Sequence, residues 1–135
     1  MNIHYIAGFF DGEGSVYSSI KAKKMQLAIS VGSNTDIEVL ERIAATLREF
    51  DIETRLHLQK TKNGTLAGNL KPVDLDNMLK FLSLIEPFIF IKHHVVMLAK
   101  KYLQSRLTDA DKFRTNEEKL LLLQINELTY AGRKS

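Results

Sequence analysis

Two carboxylates, those of Asp11 and Glu13, stand at the end of the first apolar segment of the chain, beside two glycines, Gly8 and Gly12. Residues 3–10 show no β-type alternation, so we predict a short buried helix that ends near Asp11. Acids are disfavoured at the negative C-terminal end of a helix, and each glycine costs about 1 kcal/mol in helix propensity. Such departures from local rules are expected at functional sites. The alternative is a simple turn between a helix and a strand.

Positive charge is segregated along the chain. No Asp or Glu occurs from Gly14 to Thr35 or from Thr54 to Val73, and these 42 residues carry a charge of +7, whereas the other 93 residues carry −4. Separated positive charge is what a phosphate-binding surface requires. The pattern therefore indicates a nucleic-acid partner, and its alternative is two strand pairs with ordinary lysine-rich, solvated surfaces.

The composition is that of a globular, single-domain protein without cysteine chemistry. The 135 residues, 44% hydrophobic and 26% charged, suit a single domain over residues 1–135. The lack of cysteine excludes disulfides and Cys-ligated zinc and fits a reducing compartment. No apolar run reaches membrane-spanning length, and residues 1–5 do not resemble a signal peptide. We therefore expect an intracellular protein with no membrane partner, located in a microbial cytoplasm or in the mitochondrion or chloroplast that encodes it.

Two β-hairpins are predicted after the first helix. Residues 14–22 and 26–33 alternate between apolar and polar types, as half-buried strands do. The side chains expected on the buried face are Val16, Ser18, Ile20, Leu27, Ile29 and Val31. In the second hairpin, Asn63-Gly64 is a strong turn signal. Arg55, His57 and Gln59 share the polar face of the strand before that turn, while the inward face of the strand after it is ambiguous.

Helices are predicted between and after the hairpins. Thr35–Glu38 and Thr115–Glu118 are capping boxes, which begin helices that end near residues 50 and 128. One further helix covers residues 73–85, and another begins at Pro87, which suits a first helical turn, and ends near residue 103. Residues 105–114 are predicted to be a loop and residues 132–135 to be frayed. The resulting fold class is α+β, in the order α-ββ-α-ββ-ααα.

The segment Ile6–Gly14, which reads IAGFFDGEG, resembles the LAGLIDADG motif of the homing endonucleases of that name. Gly12 is a common variant in the family, and Glu13 keeps the acid that the motif requires. The element order is also similar, so the resemblance covers essentially the whole chain. It implies an α-ββ-α-ββ-α core, with four antiparallel strands forming a DNA-binding saddle, plus C-terminal helices.

The resemblance also implies a homodimer, because chains with one motif pair through this helix. A two-fold dimer suits a pseudo-palindromic target and the cutting of both DNA strands. The residues expected in the dimer interface are Ala7, Gly8, Asp11 and Gly12. Close approach at the two glycines would bring one Glu13 from each subunit near the axis.

The implied chemistry is hydrolysis of DNA phosphodiester bonds with a divalent cation, usually Mg²⁺, for which Mn²⁺ substitutes. Mg²⁺ prefers oxygen ligands, and these would be the Glu13 carboxylate and the Gly12 carbonyl. Metal ions stabilise the attacking water and the leaving oxygen, and family members leave a staggered cut. Asp11 corresponds to the first acid of the motif, and its expected role is structural, as a cap of the helix end or of the turn.

Two further catalytic residues are expected from the resemblance. Glu86–Lys92 is similar to a family segment that ends in an active-site lysine, so Lys92 is the candidate; its alternative is an exposed helix lysine. At the end of the second strand the family often has Gln or Lys, whereas Ser33 and Asn34 occur here. Ser33 is the candidate at this position, and the departure leaves the identity of the water-ordering group open.

Outward-facing strand residues are expected to contact double-stranded DNA. Base contacts are assigned to Tyr17, Ser19, Lys21, Gln26, Ser30, Arg55, His57 and Gln59. Phosphate contacts are assigned to Lys23, Lys24, Lys60 and Lys62. The competing hypotheses are an intron RNA maturase or a non-cleaving DNA-binding regulator on the same scaffold, and a structural dimerisation domain. Retention of Glu13 favours the nuclease over a binding module.

Overall fold

The chain alternates helices with pairs of strands, in the order that the sequence predicts. The structure is a computed structural model that describes residues 1–21, 24–108 and 115–134. Its elements are α1 (Ile3–Glu13), β1 (Ser15–Lys21), β2 (Lys24–Ser30), β3 (Gly32–Asn34), α2 (Ile37–Glu49), β4 (Thr54–Lys60), β5 (Leu66–Pro72), α3 (Leu75–Ile85), a 3₁₀ turn (Glu86–Phe88), α4 (His93–Thr108) and α5 (Asn116–Lys134). No helix in these ranges is long and apolar enough to cross a membrane.

Two antiparallel hairpins form the β-structure. β1 pairs with β2, and β4 pairs with β5, as the alternation predicts. β3 continues β2 beyond Val31 and pairs with β5, and the Val31 N–H donates to the Leu70 carbonyl at 2.7 Å. The strands form a two-stranded sheet, β1-β2, and a three-stranded sheet in the order β3-β5-β4, which are linked through Val31. This confirms the α+β class with antiparallel strands, although β3 makes five strands in the described residues where four were predicted.

The bend between β2 and β3 depends on a glycine. A Cβ atom on Gly32 would lie 2.2 Å from the Phe9 ring, far inside van der Waals contact. Glycine thus lets the ring of α1 pack directly against the strand backbone at the bend. This contact fixes the position of α1 against the sheet.

The core lies between the inner face of the strands and the helices. Val16, Leu27, Ile29 and Val31 are buried as predicted. Phe10 of α1 packs edge-to-face against Phe81 of α3, with ring centroids 5.2 Å apart. Aromatic pairs of this geometry contribute about 0.5–1.5 kcal/mol beyond their area burial. The packing leaves the opposite side of α1 uncovered within the protomer.

Several helix boundaries differ from the predictions. α2 is capped by Asp36, whose Oδ1 accepts from the Val39 N–H at 3.2 Å, and not by Thr35. α4 begins at His93 and not at Pro87, which lies in the 3₁₀ turn. α4 also continues to Thr108, so residues 105–108 are helical, and residues 109–114 of the predicted loop lie outside the described residues.

α5 packs against the first hairpin and is hydrogen-bonded to β1. The capping box at its start is confirmed, since Thr115 Oγ1 accepts from the Glu118 N–H and Glu118 Oε1 accepts from the Thr115 N–H. Ser18 Oγ donates to the Leu122 carbonyl at 2.7 Å, and Thr129 Oγ1 donates to the Val16 carbonyl at 2.9 Å. The helix runs to Lys134, longer than the prediction of an end near residue 128 and a frayed terminus.

Candidate active site

Asp11 joins the end of α1 to the segment before α4. Its Oδ2 accepts from the backbone N–H groups of Phe90 at 2.8 Å and Ile91 at 2.9 Å, and its Oδ1 accepts from that of Lys92 at 2.9 Å. In return, Lys92 Nζ donates to the Asp11 carbonyl at 2.6 Å. We call Phe90–Lys92 the anchored turn. These bonds explain why α4 begins at His93 and not at Pro87. In a helix from Pro87 the three N–H groups would point along the helix axis, whereas here they are bound to the Asp11 carboxylate.

The charges of this pair are set by competing effects. Burial raises the pKa of the Asp11 carboxyl, but the N–H groups of Ile91, Phe90 and Lys92 and the Lys92 ammonium outweigh it and hold the pKa below its ordinary value. Burial lowers the pKa of Lys92, and the Asp11 carboxylate only partly opposes this. Lys92 is thus a half-buried amine bound to the end of α1 and not the exposed helix lysine of the alternative interpretation.

Glu13 is the last residue of α1, and its side chain is exposed. The Gly14 N–H still makes the last helical bond, to the Phe10 carbonyl at 2.8 Å, and the helix ends because Gly14 itself is extended, with ψ at 177°. A Cβ atom on Gly14 would lie 2.8 Å from that carbonyl oxygen, so glycine is needed for the exit. Within the described residues the Glu13 side chain makes no hydrogen bond or ion pair. The last turn of α1 therefore carries both an exposed carboxylate without a partner among the described residues and, two residues earlier, the carbonyl that binds Lys92.

The uncovered side of α1 carries the two glycines. A Cβ atom on Gly8 or on Gly12 would meet no other atom within 4 Å, so space is open above both. Ala7 and Asp11 were also predicted to lie in a dimer interface, and this is wrong for their side chains, which are buried inside the protomer at 0% and 8% exposure. The helix is rotated so that these two residues face the core while the glycines face outward.

The predicted DNA-contacting residues fall into three groups. Arg55, His57, Gln59, Lys60 and Lys62 are exposed on β4 and the turn after it. Tyr17, Ser19 and Gln26 are half-buried on the first hairpin. The side chains of Lys21, Lys23 and Lys24 lie outside the described part of the chain.

The prediction that Ser30 is available to bases is wrong. Its side chain is 4% exposed, and its Oγ donates to Asn69 Oδ1 at 2.5 Å. β5 adds two polar residues that the sequence reading missed, Asn69 and Lys71, which are paired with His57 and Arg55 across the strands. Lys71 Nζ donates to the Tyr17 hydroxyl at 3.5 Å. The signal was present in the alternation of β5.

That alternation was ambiguous because Gly68 has no side chain to mark its face. In the structure Gly68 is buried, and a Cβ atom there would lie 2.7 Å from Leu40 of α2. Gly68 and Leu70 therefore point inward, which turns Asn69 and Lys71 outward. A small residue at a close helix–strand contact thus hides the period of the strand.

The end of β3 holds the other candidate position. Ser33 is exposed and pairs with Asn69 in the sheet register. Asn34 Oδ1 accepts from the Asp36 N–H at 2.9 Å, so the Asn34 side chain is bound within the turn before α2. Of the two, Ser33 is the one whose side chain is free for another partner within the described residues.

The donor set at the end of α1 suits a hard divalent cation. The carbonyls of Phe10 and Asp11 already accept from Gly14 and Lys92, whereas Glu13 presents an exposed carboxylate, and oxygen is the atom that Mg²⁺ prefers. In the described part of the chain no three His, Cys, Asp or Glu residues lie close enough to hold a metal ion together. The residues fit a cation whose remaining ligands come from water, phosphate or a second chain.

The sequence and the fold have matches among known proteins. A family model described as a LAGLIDADG-like domain matches residues 1–86. No curated protein matches the sequence. Among solved structures, the archaeal intron-encoded homing endonuclease I-Vdi141I complexed with DNA is similar with a TM-score of 0.73 and 18% identity, over 93% of this chain and 82% of that one.

Two further similar structures differ in how much of their own chain the match covers. The homing endonuclease I-CvuI in complex with its target is similar with a TM-score of 0.71 and 16% identity, over 93% of this chain and 80% of that one. The meganuclease I-AabMI bound to uncleaved DNA is similar with a TM-score of 0.70 and 18% identity, but over only 44% of its chain. The fold therefore occurs both as most of a chain and as less than half of one.

Proposed function

Because the chain belongs to the LAGLIDADG-like family, we propose that it is a site-specific homing endonuclease that hydrolyses phosphodiester bonds in double-stranded DNA. The observation that carries the proposal is the end of α1, where Asp11 binds the turn whose Lys92 amine donates to the Asp11 carbonyl, two residues before the exposed Glu13. A cation-binding acid and a cationic amine at one helix end are what an anionic phosphodiester requires. The similar structures with bound DNA support the choice of substrate.

The outer face of the strands is the proposed DNA surface. Arg55, His57 and Gln59 are exposed there and offer side chains of the kind that read base edges, while Lys60 and Lys62 are suited to phosphates. Asn69 and Lys71 extend this surface across β5. These residues fall in or beside the acid-free segments of the sequence.

The metal-binding group is proposed to be the Glu13 carboxylate with the Gly12 carbonyl. A divalent cation, Mg²⁺ with Mn²⁺ as a substitute, would supply electrostatic stabilisation of the attacking water and the leaving oxygen. The structure of I-CvuI with its target was obtained in the presence of Ca, which supports a divalent ion. Lys92 neutralises charge on the scissile phosphate, and Ser33 is the candidate that orders water.

The active form is proposed to be a homodimer that makes a staggered double-strand cut in a pseudo-palindromic site. The open face of α1 at Gly8 and Gly12 permits a second helix to approach closely. A similar fold occupies 44% of the I-AabMI chain, which is therefore about twice as long as this one and has room for two such units. A dimer would bring together two Glu13 residues, one for each DNA strand.

Gly8→Ala tests this face without disturbing the protomer. The added methyl group meets no atom within 4 Å, so we expect the folded chain to keep or gain stability, by up to about 1 kcal/mol, from improved helix propensity. We expect the same methyl group to weaken dimerisation by about tenfold or more, because it holds the two backbones apart. Sedimentation equilibrium measures association, and urea unfolding measures stability. Unchanged association would exclude this face as the contact.

Lys92→Met tests the cationic group. Methionine has nearly the same length and is readily buried, so we expect a stable protein that binds DNA with an unchanged dissociation constant. Single-turnover cleavage should slow by about 10²-fold because the phosphate loses a positioned positive charge. Lys101→Met, an exposed lysine of α4, is the matched control. Equal cleavage rates for the two variants would contradict the role of Lys92.

The proposed function itself is tested with a randomised duplex library. The protein is incubated with the library in Mg²⁺, in Mn²⁺ and in EDTA, and newly formed ends are sequenced. We expect staggered cuts at one family of related, near-palindromic sites, and none in EDTA. Selective binding without cleavage in either metal would reject the nuclease and favour a binding module.

A further inference from the structure

A hydrogen bond between two side chains joins the two hairpins on the outer face of the sheet. Ser30 of β2 follows the core residue Ile29, so its side chain points to the opposite, outer face, yet it is only 4% exposed. Its Oγ donates to Oδ1 of Asn69 on β5 at 2.5 Å. The buried hydroxyl therefore fixes how the Asn69 amide is turned.

The bond leaves the Asn69 amide with donors on its free side. Asn69 is half-buried, and its Nδ2 donates to no group of the described residues. The buried side-chain nitrogen and oxygen atoms without a partner in this part of the chain are Thr54 Oγ1 and Glu118 Oε2, so Nδ2 is not among them and reaches solvent. An asparagine amide has one acceptor oxygen and two N–H donors. Here the oxygen is turned to the Ser30 hydroxyl, and the two donors are directed to the outer surface.

The surroundings of Asn69 add further donors and no carboxylate. No Asp or Glu occurs in residues 54–73, which include all of β4 and β5. Next along the same face of β5 is Lys71, which pairs with Arg55 in the register and whose Nζ donates to the Tyr17 hydroxyl at 3.5 Å. This part of the outer face therefore offers hydrogen-bond donors and positive charge to a bound duplex.

The bases differ in what they offer such a pair of donors in the major groove. Guanine presents two neighbouring acceptors, O6 and N7, whereas adenine combines one acceptor, N7, with a donor, its N6 amino group. An asparagine whose oxygen is free binds adenine through both ends of the amide. When a serine holds the oxygen, the acceptor for N6 is lost and the two N–H groups match guanine. Cytosine offers a donor, its N4 amino group, for which residues 54–73 provide no carboxylate.

We infer that Asn69 is a specificity-determining residue that selects a G·C pair in the DNA target, and that Ser30 is the positioning residue that sets this choice. The inference rests on the proposed function and narrows its substrate to targets with guanine at the base pair that Asn69 contacts. Ser30 pairs with Ser15, which lies two residues after Glu13. The selected base pair therefore belongs to the part of the target nearest the cleaved bonds.

The test is a binding selection with the full chain. Duplexes from the randomised library are bound in Ca²⁺, the ion present in the structure of I-CvuI with its target, and the bound fraction is recovered and sequenced. Asn69→Ala identifies the base pair, because the preference at that pair should be lost while the others remain. In the wild type this pair should be G·C, favoured over A·T by about tenfold.

Ser30→Ala should reduce the preference for G·C at this pair by about tenfold and admit A·T, because the released Oδ1 can accept from adenine N6. Ser30→Thr keeps the hydroxyl and should keep the preference. The matched control is Ser18→Ala, which removes a hydroxyl of the same hairpin that donates to the Leu122 carbonyl of α5. This control should leave the base preferences unchanged at every position.

Three results would overturn the inference: an Asn69→Ala protein that loses no preference, a wild-type preference for A·T at the identified pair, and a Ser30→Ala protein with wild-type preferences. A uniform loss of affinity in Ser30→Ala would assign the bond to sheet stability and overturn it as well. Failure of the proposed function is distinguishable. Wild-type binding without any sequence preference would reject site-specific recognition and the inference together. Selective binding without cleavage in the library assay would reject the nuclease and still decide which base pair Asn69 selects.

Discussion

Glu13→Gln is expected to reduce the cleavage rate about a thousandfold or more while leaving the fold and DNA affinity nearly unchanged. The amide has the size of the carboxylate but no negative charge, so it is a poor ligand for a hard divalent cation. The side chain is exposed and has no hydrogen-bond partner in the described residues, so its replacement disturbs little else. Removal of one preorganised electrostatic group in other active sites has effects of comparable size.

Single-turnover cleavage of the selected target and a filter-binding isotherm measure the two quantities separately. The matched control is Glu127→Gln, an exposed glutamate on α5, far along the chain from the motif. It should cleave at the wild-type rate. If Glu13→Gln retained a rate within tenfold of the wild type, Glu13 would not be the metal-binding acid, and the interpretation of the helix end would be wrong.

Asp11→Ala is expected to lower the free energy of unfolding by about 3 kcal/mol or more. The change leaves three backbone N–H groups of the anchored turn without their acceptor and removes the negative charge that favours the protonated form of the half-buried Lys92. Unsatisfied backbone groups cost about 1–3 kcal/mol each where they remain buried. Urea unfolding measures the difference.

The control for Asp11→Ala is Asp76→Ala. Asp76 pairs with Lys80 at 3.3 Å on the surface of α3, with 60% of its side chain exposed. Exposed pairs of this kind contribute at most about 1 kcal/mol. Equal losses of stability in the two variants would show that the Asp11 contacts do not hold the end of α1 to the anchored turn.

Low pH should abolish the contribution of Asp11 to the free energy of unfolding. Because its pKa in the folded protein lies below the ordinary value, the ionised carboxylate stabilises the fold fully above the unfolded-state pKa, near 4. The contribution is lost as the pH falls through the folded pKa. The difference in unfolding free energy between the wild type and Asp11→Asn should therefore shrink below about pH 4. A constant difference from pH 7 to pH 2 would contradict this assignment.

The sequence by itself determined most of the secondary-structure elements and the family. Alternation over a few residues specified the first hairpin and β4, Asn63-Gly64 specified the turn that leads to β5, and Thr115–Glu118 specified the start of α5. Each of these signals acts between near neighbours in the chain. The resemblance of Ile6–Gly14 to the LAGLIDADG motif identified the family, which the match over residues 1–86 confirms.

Only the tertiary structure decided which partners these residues meet. The acceptor role of Asp11 depends on N–H groups about eighty positions away, and no local pattern reports a bond of that span. The same bonds delay α4 beyond Pro87 and hold Lys92 to α1. Helical periodicity places residues on a face but does not state which face meets the core. For this reason Ala7 and Asp11 were predicted on the outer face but are buried, whereas Gly8 and Gly12 do face outward.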